Sequence, residues 1–131
     1  RFIRGEERGR DGSTAAAIAR ADGACYMQHV PVTTPGQKYL CSVWASCDTP
    51  GAATAAALGV RWQTGDGAWH PDRECEPRTA LTVRGGRWER LSVIATVPDG
   101  AARMVFMLNA EGQAGEQAVV FDDAAVLQLS E

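Results

Sequence analysis

Apolar and polar residues alternate along much of this chain with the period of two that is typical of β-strands. In residues 39–47 the odd positions form one face and the even positions Leu40, Ser42, Trp44 and Ser46 form the other. Residues 55–63 alternate in the same way, with Leu58, Val60 and Trp62 opposite Gly59, Arg61 and Gln63. Each segment therefore predicts a strand with one face directed at a core.

Turn signals separate these segments, among them Pro35-Gly36 and Gly65-Asp66-Gly67. Further strands are predicted at 13–20, 25–33, 81–83, 88–97, 103–109 and 117–129. About eight antiparallel strands at this spacing predict an all-β sandwich. We expect residues 1–12 to be a flexible N-terminal segment and residues 13–131 to form a single domain.

Charge and hydropathy narrow the functional classes. The chain has 131 residues, a net charge of −3 and a pI of about 5.4. It therefore lacks the basic surplus of a nucleic-acid-binding domain, and no apolar run is long enough to span a membrane. It begins at Arg1 without a signal peptide, so we expect a piece of a longer protein. Lys38 is the only lysine among many arginines and alanines, which is typical of GC-rich bacterial genomes.

The four cysteines are Cys25, Cys41, Cys47 and Cys75. An even number permits disulfides, for which Cys47–Cys75 is the first choice because both residues flank loops. A disulfide would place the protein in an oxidising compartment. Buried thiols are the alternative, because cysteine is a common small core residue. The spacing does not match a structural zinc site.

Several segments follow one another in an order that resembles a known family. They are Tyr26–Val32, Pro35–Ala45, Trp88–Ser92, Val97–Ala101 and Phe121–Ala124. In this order they resemble the jelly-roll carbohydrate-binding modules of bacterial glycoside hydrolases, within the galactose-binding-like superfamily. The resemblance covers about Ser13 to Leu129. The family's N-terminal Asn-x-Gly-Phe-Glu-like motif is absent, and Phe2–Glu6 is a poor substitute for it.

The resemblance implies a jelly-roll β-sandwich that binds carbohydrate without catalysis and targets an attached enzyme to a polysaccharide. The expected partners are a polysaccharide or oligosaccharide and the covalently attached catalytic or surface domains, with no nucleic acid and no membrane. We expect a monomer that is secreted or at the cell surface. The alternative is a structural or protein-contacting sandwich with no sugar site, because related sandwiches also serve as spacers.

Asp122 and Asp123 are the candidate metal ligands. Adjacent strand residues point to opposite faces, so only one of the two can face inward, where a carboxylate needs a cation or hydrogen bonds. In the resembled family this region supplies a ligand to a structural Ca²⁺, and carboxylate oxygens suit that ion. The alternatives are a carboxylate that accepts backbone N–H groups and two solvated acids near a turn.

A sugar site needs exposed aromatic rings beside planar polar groups. Trp44 and Trp69 are the candidate platforms, since Trp44 shares a face with serines and Trp69 follows a hairpin turn. Trp62 is predicted to lie in the core and Trp88 to be structural. The polar candidates for ligand binding are Arg61, Gln63, Gln28 and Asn109.

The sequence contains no recognisable arrangement of catalytic residues. Asp122 and Asp123 are adjacent and cannot stand on either side of a glycosidic bond, as the two carboxylates of a glycoside hydrolase do. No nucleophile elbow, phosphate-binding loop or His-Glu-x-x-His motif occurs. We therefore predict that the domain is not an enzyme.

Overall fold

The computed structural model describes residues 2–5, 15–19, 23–47, 55–82, 86–111 and 118–129. These residues form nine strands and a 3-10 helix at Arg73–Cys75. The strands are β1 (Phe2–Gly5), β2 (Ala15–Ala19), β3 (Gly23–Pro31), β4 (Lys38–Cys47), β5 (Ala55–Thr64), β6 (Arg78–Ala80), β7 (Trp88–Thr96), β8 (Ala101–Glu111) and β9 (Ala118–Gln128).

The strands form two sheets. Sheet A has the order β1-β2-β9-β4-β7 and sheet B the order β3-β8-β5-β6, and the paired strands are antiparallel. From β3 onward the chain passes repeatedly from one sheet to the other, as jelly rolls do. The predicted all-β sandwich is confirmed.

The core lies between the sheets and follows the predicted alternation. Sheet A contributes Cys41, Val43 and Phe121, and sheet B contributes Leu58 and Trp62 among others. Trp62 is fully buried, as predicted, and its indole Nε1–H donates to the carbonyl oxygen of Cys75 at 2.7 Å. Because a buried indole needs an acceptor, this bond allows the largest core side chain to be placed without an unsatisfied polar group.

Two predicted boundaries differ from the structure. The segment expected at 81–83 forms its strand earlier, at Arg78–Ala80, opposite Ala57–Gly59 of β5. Leu81 lies beyond the strand, although its N–H still donates to Ala56 O at 2.8 Å. At the other end, Phe2–Gly5 forms strand β1, paired with β2, so sheet A includes residues from the predicted flexible segment. Phe2 and Ile3 are adjacent apolar residues between two arginines, so this short stretch lacks the alternation that would indicate a strand.

The predicted turns at Pro35-Gly36 and Gly65-Asp66-Gly67 are confirmed. Gly36 and Gly67 each have a φ of 85°, a left-handed conformation that glycine adopts without strain. Gln37 N–H donates to Thr34 O at 3.2 Å, and Gly67 N–H donates to Thr64 O at 3.0 Å. The second turn directs the chain from β5 back toward Trp69.

All four cysteines are thiols, so the predicted Cys47–Cys75 disulfide is wrong. Cys47 faces the core from β4, whereas the Cys75 thiol donates to the Asp72 carboxylate at 3.2 Å beside the 3-10 helix. Cys41 is fully buried with its sulfur 4.0 Å from that of Met104, and burial raises the pKa of the Cys41 thiol to about 11. Cys41 therefore serves as a small apolar residue of the core, a role that needs no disulfide.

We expect the Cys41 thiol to resist alkylation in the native protein near pH 8, because burial restricts access and the reactive thiolate is scarce below a pKa of about 11. After unfolding without reductant, all four thiols should react. Peptide mass mapping after each treatment measures both results. Fewer than four reactive thiols in the unfolded chain would instead show a disulfide.

Candidate functional site

The outer face of sheet B carries four rows of side chains that cross its strands. We define this face by those rows, which the strand registers align as Cys25–Asn109–Ala57–Ala80, Met27–Met107–Gly59–Arg78, His29–Val105–Arg61 and Pro31–Arg103–Gln63–Trp69. From Ala57 to Gln63 the face extends roughly 20 Å along β5. It therefore offers an elongated surface lined with arginine, amide and aromatic groups.

Four of the predicted binding residues meet on this face. Arg61 and Gln63 lie on β5, Asn109 lies on β8, and Trp69 pairs with Gln63 through an isolated bridge. Trp69 remains 41 % exposed. The strand alternation placed Arg61 and Gln63 correctly opposite Trp62, but the pairing of β5 with β8, which brings Asn109 to them, was not apparent from sequence.

Arg61 is held between an aromatic ring and a carboxylate. Its guanidinium carbon lies 4.0 Å from the centre of the Trp69 ring, a cation–π contact. Its Nε donates to Glu76 Oε2 at 2.6 Å. The Glu76 side chain is only 7 % exposed, and its other oxygen is paired with Arg73. Arg61 therefore fixes the position of Trp69 relative to β5.

Residues 69–77, which we call the β5–β6 connection, are fastened to β5 by their backbone. His70 N–H donates to Trp62 O at 2.9 Å, and Val60 N–H donates to Pro77 O at 3.0 Å. The His70 ring accepts from Asp72 N–H at 3.1 Å through Nδ1, which leaves Nε2 to donate to Asp99 O at 2.7 Å. These bonds hold Trp69 at one end of the connection and Glu76 at the other.

The hairpin before Trp69 is closed by Asp66. The Asp66 carboxylate accepts from the Thr64 hydroxyl and from Ala68 N–H, and these hydrogen bonds lower the pKa of Asp66. Thr64 N–H donates to Ala68 O at 2.9 Å. The carboxylate is thus engaged by its own turn.

A groove of about 190 Å³ lies on the outer face of sheet B beside Arg61. Its lining includes Gly59, Glu76, Arg78, Met107 and Asn109. Gly59 leaves the space open, since a Cβ there would lie 3.8 Å from both Arg78 Cγ and Asn109 Nδ2. Glu76, Arg78 and Gly59 were not predicted as site residues. Gly59 shares the strand face of Arg61 and Gln63, and that periodicity could have indicated it.

The structure does not bring Gln28 and Trp44 to this face. Gln28 lines a separate cavity of about 500 Å³ near the edge of the sandwich, together with Tyr39, Val126 and Gln128. Trp44 points outward, as predicted, but from sheet A, where the register places it between Arg90 and Asp122. It is half-buried there. Trp88 is also half-buried on sheet A and packs against Ala17 and Val120, which agrees with its predicted structural role.

Asp122 and Asp123 lie at a β-bulge in β9, where the pairing with β4 shifts between Ser42 and Trp44. Asp123 has a φ of 51° and is exposed, and its N–H donates to Asp122 Oδ1 at 3.0 Å. This hydrogen bond matches the alternative of a carboxylate that accepts a backbone N–H. Among the described residues no group of three His, Cys, Asp or Glu side chains could hold a metal ion. The calcium site stays a prediction.

The fold is similar to that of solved carbohydrate-binding modules. No family model and no curated protein matches the chain. A family 16 carbohydrate-binding module is 16 % identical with a TM-score of 0.68, covering 96 % of this chain and 84 % of its own. A family 22 xylan-binding domain from Paenibacillus barcinonensis Xyn10C is 14 % identical with a TM-score of 0.67, covering 100 % and 82 %.

A larger protein contains a similar domain. The enzymatically active domain of bacteriophage CBA120 tailspike protein 4 is 16 % identical with a TM-score of 0.75, over 98 % of this chain. The chain spans 18 % of that tailspike chain. At these identities the comparisons establish the fold, and the jelly-roll expectation is confirmed at that level. In the described part of the chain, no helix is long and apolar enough to cross a membrane.

Replacement of Glu76 by Gln should destabilise the domain by about 2 kcal/mol, because Arg61 and Arg73 would lose the anion that they share. Trp69 fluorescence should also change as Arg61 is released from its position. Urea unfolding and emission spectra measure the two effects. The control is Glu74→Gln at an exposed position of the 3-10 helix that precedes Glu76, expected to cost less than about 0.5 kcal/mol. Equal effects of the two variants would contradict the role given to Glu76.

Proposed function

We propose that this domain is a non-catalytic carbohydrate-binding module whose glycan site is the outer face of sheet B. The observation that carries the proposal is the alignment of Trp69 and Arg61 with the groove beside Gly59 and Asn109. An indole ring can stack on the C–H face of a sugar, while guanidinium and amide groups bond its hydroxyls. One face thus supplies both kinds of contact.

The shape of the site favours a polymer over a single sugar. The groove is open to solvent, and Gln63 and Arg103 continue the polar surface past Arg61 to Trp69. Binding groups spread over roughly 20 Å of strand can contact several sugar residues in succession. A chain ligand would gain affinity from each contact, which suits a module that holds an attached enzyme near a polysaccharide.

The similar solved structures support this proposal through their own descriptions. One is described as a xylan-binding domain, and another is bound to β-1,4-galactotriose. A third structure joins a family 22 module to a catalytic module and holds xylohexaose. By analogy we propose a monomeric accessory module of a secreted or cell-surface protein, with its partner domains on the same chain.

A contact surface for a neighbouring domain is the second candidate function. Leu127, Leu40 and Ile94 form a row across the outer face of sheet A. Leu127 is 58 % exposed and Ile94 is 57 % exposed. An apolar row of this kind suits protein contact. It lies on the opposite sheet from the proposed glycan site, so one domain could serve both functions.

We expect Trp69→Ala to weaken polysaccharide binding by about 30-fold, or roughly 2 kcal/mol, because the stacking ring is lost. Gly59→Leu should have a similar effect, since its side chain would occupy the groove beside Arg78 and Asn109. A polysaccharide array identifies the ligand, and calorimetric titration then measures the Kd.

Trp44→Ala is the matched control, the same change at the other candidate tryptophan on the opposite sheet, and should leave the Kd unchanged. Loss of binding in this variant with full binding in Trp69→Ala would move the site to sheet A. No binding across a broad array would favour the contact function instead. Circular dichroism and thermal unfolding show whether each variant is folded.

A further inference from the structure

A second cavity lies between the two sheets, where the edge strand β3 of sheet B faces β9 of sheet A. We call it the β3–β9 cavity, and its volume is about 500 Å³. Its main lining residues are Gln28, Val30 and Phe106 of sheet B and Tyr39, Val126 and Gln128 of sheet A. The strand registers place them on the inner faces of the sheets, since they share rows with core residues such as Val60 and Cys41.

Solvent reaches this inner surface because β2 covers only part of β9. Within the described ranges, β2 pairs with β9 from Ala118 to Phe121, and the rest of β9 borders the opening. Val126 is 36 % exposed, although its register partner Cys41 is fully buried. The β3–β9 cavity is therefore open to solvent, and its volume lies within the range of roughly 300–1,000 Å³ that is typical of small-molecule sites.

Three polar side chains of the lining, those of Gln28, Tyr39 and Gln128, make no hydrogen bond to the described part of the protein. Comparable groups outside the cavity are engaged. The Tyr26 hydroxyl donates to Ala17 O at 2.9 Å, and the Gln37 amide donates to Leu129 O at 2.7 Å. Tyr39 and Gln128 are also register partners, so one small ligand can reach both. The cavity thus offers two amides and a phenol hydroxyl that are available to a ligand.

The chemistry of the lining favours an uncharged ligand that is polar on its edges and apolar on a face. None of the described lining residues is ionic, so a charged ligand would lose hydration without gaining a counter-charge. Amide and phenol groups both donate and accept, as sugar hydroxyls do. Phe106, Val30 and Val126 supply the apolar surface that the C–H face of a sugar ring requires.

We propose that the β3–β9 cavity is a second binding site, which takes a short neutral sugar on the order of one or two residues long. It goes beyond the proposed function, because it shares no described lining residue with the groove on the outer face of sheet B. Gln28, Tyr39 and Gln128 bond the hydroxyls of the sugar, and the apolar residues contact its ring. The outer face of sheet B holds an extended polymer, whereas this cavity holds a free short sugar or the end of a chain.

The experiment is a titration with small probes, followed through the side-chain amide signals of Gln28 and Gln128 in nitrogen–proton correlation spectra. The neutral probes are xylose, glucose, galactose, mannose, N-acetylglucosamine, xylobiose and cellobiose. Glucuronate tests the preference for an uncharged ligand, and cyclohexanol tests whether a ring with one hydroxyl is sufficient. We expect at least one neutral sugar to give saturable shifts of both signals and to bind about fivefold or more tightly than glucuronate and cyclohexanol.

Variants then locate the bound sugar. Tyr39→Phe should weaken binding about threefold to tenfold by loss of one hydrogen bond, whereas Tyr26→Phe, the same change at the other tyrosine of the chain, should leave the Kd unchanged. Val126→Trp should abolish binding by filling the cavity. Its control is Leu127→Trp at the next residue, which lies on the outer face of sheet A and should not alter the Kd.

The failures of the two proposals are distinguishable. Trp69→Ala should bind the short sugar as the unchanged protein does. Sugar binding that is lost in Trp69→Ala and kept in both Tyr39→Phe and Val126→Trp would overturn the inference and leave the outer face of sheet B as the site. Absence of shifts at Gln28 and Gln128, or equal binding of cyclohexanol or glucuronate and the best sugar, would also overturn it. None of these results touches polysaccharide binding that depends on Trp69.

Discussion

The hydrogen bond from Trp62 Nε1–H to Cys75 O joins the core of the sandwich to the residues that build its outer surface. Trp62 is the largest buried side chain and comes from the inner side of β5. Cys75 belongs to the β5–β6 connection, which carries both Trp69 and Glu76. The position of the candidate site therefore depends on a hydrogen bond made inside the core. A substitution of Trp62 would remove that bond and displace the connection that carries Trp69 and Glu76.

Arg61 and Trp62 are neighbours that hold the same connection from opposite sides of the sheet. Strand alternation directs Trp62 inward to Cys75 and Arg61 outward to Glu76, one residue farther along the connection. Two adjacent residues of one strand thus clamp two adjacent residues of the connection. This arrangement makes an irregular segment part of a rigid surface and leaves Trp69 exposed in a defined position for a ligand, with little ordering required on binding.

The inner and outer faces of the strands were predictable because side-chain direction in a strand alternates with period two. That rule placed Trp62 in the core and Arg61 and Gln63 outside it. It could not say which strands would be neighbours, and the order of the strands brought Asn109 to the site and placed Trp44 on the other sheet. Gln28 lies in sheet B but on its inner side, in the row of Phe106 and Val60. Glu76 and Arg73 were not predicted as site residues, because an irregular connection has no alternation of apolar and polar positions from which side-chain direction could be inferred. The disulfide was predicted from the even number of cysteines and is wrong. Cys41 remains a thiol because it is a small residue buried in the core.

The most direct test of the account uses the four tryptophan indole groups as reporters of the two sheets. Trp69 lies on the outer face of sheet B, Trp44 and Trp88 lie on sheet A, and Trp62 lies in the core. In a nitrogen–proton correlation spectrum recorded during titration with a bound oligosaccharide, the Trp69 indole signal should shift strongly. The Trp44 and Trp88 signals should stay in place. Shifts of Trp44 with an unchanged Trp69 would contradict the account, because the ligand would then lie on sheet A.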